Sequence, residues 1–140
     1  MAYKVYLQGE THILNNYFNA TDFTGPFYIG LASGPIPQLE TATLADVDEI
    51  FGFGYKRIAV NRDDSPYGWS ISDDTAKAAE VSWFNSDVST SWKPADYAFL
   101  TLSAYGQDEP NILIAAVDLE NTVILAPQKK FKLLFKFRQI

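Results

Sequence analysis

The residues able to do chemistry are few, and their spacing favours structure over reaction. His12 is the single histidine, so a zinc site would rest largely on carboxylates, and a histidine-based triad could be built only around this one side chain. It stands beside an apolar stripe, where a packed or solvent-facing role is the ordinary one. Carboxylates are more numerous: Asp46, Asp48 and Glu49 form one cluster, Asp63 and Asp64 a second, Asp73 and Asp74 a third. Paired acids can serve acid–base chemistry or hold a hard cation. Here the loop spacing of an EF-hand is missing, and adjacent aspartates in turns commonly bond their own backbone. Turn formation is the favoured reading, with a structural cation near Asp63, Asp64, Asp73 and Asp74 as the alternative. The glycines of Gly52-Phe53-Gly54 lack the continuation of a dinucleotide fingerprint, and Ser86, Ser89 and Ser91 lack a nucleophile-elbow pattern. Cysteine is absent, which excludes disulfides, thiolate metal sites and cysteine nucleophiles. The expectation is a protein that is not an enzyme and has neither metal nor cofactor.

Binding is better represented than catalysis. An exposed tryptophan can stack on a sugar or anchor a protein interface, whereas a buried one fills the core. Trp83 falls in strand alternation and is expected in the core. Trp92, flanked by Ser91 and Lys93 in a polar loop, and Trp69, beside a Pro-Tyr-Gly turn, are the expected surface aromatics. The second set of candidates is cationic. Residues 1–128 hold all 17 acidic and 6 of the 11 basic residues, while Lys129, Lys130, Lys132, Lys136 and Arg138 stand together near the end. An acidic body with one basic edge disfavours nucleic acid and favours contact with an acidic protein surface.

The frame that positions these residues reads as a single domain over 1–140. With 47% apolar and 15% aromatic residues, the chain can build one sizeable core. The first residues lack a signal-peptide pattern and no stretch approaches the length of a membrane span, so a soluble protein is expected. An apolar stripe through Leu7, Leu14 and Phe18 predicts a short N-terminal helix, regular from about Glu10. Residues 26–33 predict a strand ended by Gly34, Pro35 and Pro37. Thr43 followed by Asp46 has capping-box spacing and predicts one helical turn over 44–49. Gly52 and Gly54 predict a turn or bulge before a strand from Tyr55 to Asn61.

Further strands are predicted around Trp69 and Ile71, over Lys77–Phe84, and over Tyr97–Tyr105. Residues 112–119 should form another, with Glu120 and Asn121 reversing the chain into 122–125. In the last segment, Phe131, Leu133, Phe135 and Phe137 alternate with Lys130, Lys132, Leu134, Lys136 and Arg138. That pattern predicts one structural strand with a cationic outer side. The fold class expected is mainly β, a β-sandwich or jelly-roll-like domain with one short N-terminal helix.

Several pieces together resemble small virion structural proteins of tailed bacteriophages: Gly30, Leu31 and Pro35; Ala45, Asp46, Val47 and Glu49; Gly54, Tyr55, Arg57 and Val60; then Trp83 to Phe84 and Trp92 to Leu100. The resemblance covers most of residues 10–105. It implies a non-enzymatic capsid decoration or cement protein, located in the virion, that binds the major capsid protein or another virion structural protein. It further implies a homo-oligomer such as a trimer, with Tyr55 and Arg57 in a scaffold strand, and involves neither nucleic acid nor membrane. A tail, neck or connector protein and a glycan or host-surface binding module are the alternatives, and hydrolysis by the acidic clusters is a distant third.

Overall fold

The computed structural model describes residues 3–6, 9, 26–60, 69–72, 75–78, 80–107 and 109–138. They form a mainly-β domain with a short 3₁₀ turn at Leu44–Asp46. The predicted N-terminal helix and His12 lie outside the described residues. Tyr3–Val5 is a strand, β1. No helix among the described residues is long and apolar enough to cross a membrane.

A five-stranded antiparallel sheet carries the molecule. Phe27–Ala32 (β2) pairs on one side with Ile58–Val60 (β3) and on the other with Ala95–Thr101 (β7). Leu113–Val123 (β8) lies between β7 and β1. Trp69–Ser72 (β4), Thr75–Ala78 (β5) and Lys136–Arg138 (β10) make a three-stranded sheet in the order β10-β5-β4. Val81–Phe84 (β6) and Lys130–Leu133 (β9) form a two-stranded ribbon.

Alternation along the strands sends side chains to both faces of the large sheet, and both faces are covered. On one, Ile29, Leu31, Leu100 and Val117 join Val81, Trp83 and Leu133 of the ribbon in one continuous apolar cluster with Phe135. On the other, Tyr97, Phe99 and Ala116 are roofed by Ala42, with Ile36, Leu44 and Val47 packed alongside. The capping box predicted at Thr43 is present: the Ala45 amide donates to Thr43 Oγ1, and the Thr43 amide donates to Asp46 Oδ2 at 2.8 Å. It closes the turn that sets Leu44 and Val47 over the sheet.

Four strand expectations need correction. The strand expected from Tyr55 to Asn61 begins only at Ile58, so Tyr55 and Arg57 stand before it. The segment over 77–84 is divided between β5 and β6, which belong to different sheets. The C-terminal segment is likewise two strands, β9 and β10, although its alternation survives: Leu133 and Phe135 are buried while Lys130, Lys132, Leu134 and Lys136 face solvent. Finally, Glu120 and Asn121 do not reverse the chain. β8 runs on to Val123, with Glu120 in the left-handed region at φ 70° and its amide donating to Asp118 Oδ1 at 3.2 Å. The register passes from Tyr97↔Asp118 to Ala95↔Val123, so a local bulge absorbs the surplus residues that were expected to form a turn.

Asp96 sits beside this bulge and ties it to the end of β2. Its Oδ1 accepts from Thr122 Oγ1 and its Oδ2 from the Gly34 amide, both at 2.6 Å. These bonds, the Thr122 hydroxyl first, hold the Asp96 carboxyl below its ordinary value of 3.8. A carboxylate with a depressed folded-state pKa contributes stability that is complete above the unfolded value and is lost as pH falls through the folded one. Asp96→Asn should therefore lower Tm by a few degrees near neutral pH, and the gap from the unmodified protein should narrow below about pH 4. A pH series of thermal melts on both proteins measures it, and a gap constant down to strongly acid pH would contradict it.

Candidate functional site

The conspicuous polar site is built from the segment between the 3₁₀ turn and β3. Glu49 bridges to Ala32 at the end of β2, and Ile50 continues that attachment by donating its amide to the Leu31 carbonyl at 3.0 Å. The chain then leaves the sheet over residues 51–54 and returns through Tyr55 and Arg57 to β3. Both Glu49 and Arg57 are thereby brought over the sheet face that holds Phe99.

Arg57 is buried and grips Glu49 with two parallel bonds, Nε to Oε2 at 2.9 Å and Nη2 to Oε1 at 2.8 Å. Its remaining nitrogen, Nη1, donates to the carbonyls of Ser103 and Ala104 at 2.8 and 3.0 Å. The guanidinium also lies 5.6 Å from the centre of the Phe99 ring, within cation–π range. The Tyr55 hydroxyl donates to Glu49 Oε2 at 2.8 Å and accepts from the Leu31 amide at 2.9 Å. Burial, and then the Glu49 charge, push the Tyr55 phenol far above its ordinary pKa, so it stays protonated and remains a donor. With its donors and acceptors aimed at one another, this network is an anchor for the chain on either side. Beside it lies a cleft of about 290 Å³ lined by Leu44, Ala45, Glu49, Arg57, Glu109 and Asn111.

What the anchor positions is the loop at 51–54. Tyr55 packs edge-on against Trp92 and Tyr105, with ring centroids 5.5 and 5.0 Å away. Trp92 Nε1 donates to the Phe53 carbonyl at 2.9 Å, and the Lys93 amide to the Phe51 carbonyl at 3.3 Å. Two glycines make this geometry accessible. A Cβ on Gly52 would collide with the Trp92 indole, and Gly54 has φ 80°. The loop is thus held through its backbone, while Phe51 and Phe53 remain 63% and 69% exposed. Lys93 reaches over the Phe51 ring and pairs with Asp48 at 2.8 Å.

Two further loops are fastened to the same end of the molecule. Asn85 Nδ2 donates to the Thr90 and Leu125 carbonyls, each at 2.9 Å, and the Trp92 amide donates to the Leu125 carbonyl at 3.1 Å. Gln128 Nε2 bonds the carbonyls of Ser86 and Asp87. These loops carry two more exposed apolar side chains, Val88 and Ile124.

The sequence-predicted candidates do not converge here. Trp92 is 3% exposed and belongs to the core cluster, which corrects the expectation of a surface side chain. Its polar neighbours in sequence occupy the loop, while its ring fills the space against Tyr55 and Gly52 and offers no free face to a sugar. Trp83 is in the core as expected, its Nε1 donating to the Lys56 carbonyl at 3.1 Å. Trp69 lies in β4 and Arg138 in β10, with their side chains outside the described residues. Lys129, Lys130, Lys132 and Lys136 are exposed on and beside the ribbon, far along the chain from the aromatic loop.

The carboxylate cluster at 46–49 separates into three jobs: Asp46 caps, Asp48 pairs with Lys93, and Glu49 pairs with Arg57. Asp63, Asp64, Asp73 and Asp74 lie outside the described residues, and among the described residues no three His, Cys, Asp or Glu side chains come together as a metal site. Sequence reasoning missed both the ion pair and the exposure of Phe51 and Phe53. The available signals were an arginine inside an apolar strand and two phenylalanines placed in a glycine turn outside any strand register. Comparison with known proteins finds no family model, no curated protein and no solved structure that matches this chain.

Proposed function

We propose that this chain is a non-enzymatic assembly subunit, a virion structural protein of the capsid decoration or cement kind, that docks on the major capsid protein through its aromatic loop. The observation that carries this reading is the pairing of exposure with restraint at residues 51–54. Exposed aromatic side chains on a monomer characteristically mark contact surfaces, and phenylalanine is enriched in interface cores. A loop already held in one conformation loses little entropy on binding. Here the carbonyls of Phe51 and Phe53 are bonded to Lys93 and Trp92, and the segment ends on the Glu49–Tyr55–Arg57 anchor. The large sheet with the ribbon against one face is read as a sandwich-like scaffold for that loop. The resemblance to small phage virion proteins supplies the class of partner; a neck, tail or connector position would use the same loop against a different neighbour.

The test is a double substitution at the loop tip. Phe51→Ser with Phe53→Ser removes exposed apolar area and should leave Tm within a few degrees of the unmodified protein. Loss of two interface aromatics should weaken binding to capsids stripped of this chain by about 2 kcal/mol or more, roughly thirtyfold. Unchanged occupancy, measured by co-sedimentation, would exclude the loop as the docking element.

A further inference from the structure

The chain has a second surface of opposite character. On the outer side of the β6–β9 ribbon, Lys130 stands opposite Phe84 and Lys132 opposite Ser82, and all four residues face solvent. Lys129, Leu134 and Lys136, next along the chain on either side of β9, are exposed as well. Among the described residues the acid that reaches it is Glu80, whose carboxylate is 3.9 Å from Lys132 Nζ, with both side chains well exposed. Such a pair contributes little and neutralises little.

The opposite face of the large sheet is covered by residues 33–48, and there the solvent meets carboxylates. Glu40, Asp46, Asp48, Glu49 and Glu109 all belong to this side, around Tyr6, Tyr97 and the cleft. Three of them have cationic partners, but in each pair the acid is the outer member. The Lys4 and Glu40 side chains are 22% and 63% exposed, those of Lys93 and Asp48 30% and 67%, and Arg57 lies deeper than Glu49. The lysine surface and the acidic surface therefore lie on opposite sides of one sheet.

We propose that the lysine face of the ribbon seats on the acidic loop face of a second copy of this chain. The occupant follows from charge: the chain up to residue 128 has 17 acidic against 6 basic residues, and its last segment is purely basic. Because the two surfaces differ and lie on opposite sides, the contact is head-to-tail, and repetition closes a ring or extends a stack. Phe84 and Leu134, exposed between the lysines, supply the apolar part of the contact. The inference rests on the assembly reading above and specifies how copies join one another, leaving the aromatic loop for the shell.

Sedimentation equilibrium of the full chain at about 50 mM and about 500 mM NaCl should show association weakened at least tenfold by salt, as the Debye length shrinks to a few ångströms. Lys130→Glu with Lys132→Glu should remove association while preserving the melt, and Glu40→Lys with Glu109→Lys should do the same. Mixing the two variants should restore complexes, since each retains the surface that the other lost. Monomer at both salt concentrations, salt-independent association, or a failure of the mixture to associate would overturn the inference. So would retention of an added DNA oligonucleotide by the lysine face with no self-association, which would assign that face to nucleic acid. Failure here with loop-dependent capsid binding intact would leave the assembly reading standing; loss of the loop dependence with the lysine contact intact would remove the docking claim alone.

Discussion

Glu49→Ala should be the most damaging single substitution among the surface-connected residues of this protein. It leaves the Arg57 guanidinium buried with its Nε and one Nη2 hydrogen unpaired, and also removes the acceptor of the Tyr55 hydroxyl. Truncating one member of a buried, hydrogen-bonded ion pair typically costs about 3–5 kcal/mol, because the remaining charge stays desolvated. For a domain of this size the expected fall in Tm is on the order of 10 °C or more. Arg57→Lys should recover little, since an ammonium cannot reproduce the two parallel bonds to the carboxylate or the two to the Ser103 and Ala104 carbonyls. A double substitution, Glu49→Leu with Arg57→Leu, should be less destabilising than Glu49→Ala plus Arg57→Ala summed, because it strands neither charge. Thermal or urea melts of the set provide the measurement; a loss below about 1 kcal/mol for Glu49→Ala would show that the pair is solvated and is not an anchor.

Trp92→Ala is the second large effect, and its expected direction follows from burial. Removing the indole opens a cavity beside Tyr55 and Gly52 and deletes the bond to the Phe53 carbonyl. A buried tryptophan truncated to alanine loses about 3–5 kcal/mol, so its melt should fall about as far as that of Trp83→Ala. The two variants should differ in where the structure loosens. Trp83 joins β6 to the core and stacks on Phe131 at 5.9 Å, whereas Trp92 holds the 51–54 loop. Amide exchange in residues 51–55 should accelerate in Trp92→Phe, which retains much of the packing and loses the Nε1 donor. A Trp92→Ala protein with an unchanged melt and impaired association would instead return Trp92 to the surface.

The contrast between these two tryptophans shows how far a strand pattern carries. Trp83 is legible because Val81 and Trp83 point inward while Ser82 and Phe84 point outward, a period of two that needs no knowledge of the rest of the chain. The C-terminal alternation is legible for the same reason, through Leu133 and Phe135 against Lys132, Leu134 and Lys136. What that pattern cannot reveal is the step between Leu133 and Lys136, where one continuous alternation serves two different sheets. Trp92 has no periodic neighbours. Its burial is decided by Tyr55 and Gly52, some forty residues away, and by the Leu125 carbonyl that receives its amide.

The anchor was hidden by a similar distance effect. Asp46, Asp48 and Glu49 are one acidic run in sequence, but the turn and bridge that follow send each carboxylate to a different partner. The capping box at Thr43 was readable because both of its partners lie within one turn. The pairing of Glu49 with Arg57 needs the chain to leave and rejoin the sheet. Its completion by Ser103 and Ala104 needs β7 to be in place. Glu120 is the converse case: local turn chemistry was present, and the extended pairing of β8 with β7 overrode it by turning the surplus residues into a bulge.

The aromatic loop is the feature on which the proposed function stands, and cryo-electron microscopy of the virion proposed to carry this chain examines it most directly. The expected result is density for this chain with residues 51–54 against a neighbouring capsid, neck or tail subunit and the rings of Phe51 and Phe53 covered. Particles without the chain, or particles in which that loop points into solvent and another surface makes the contact, would contradict the proposal.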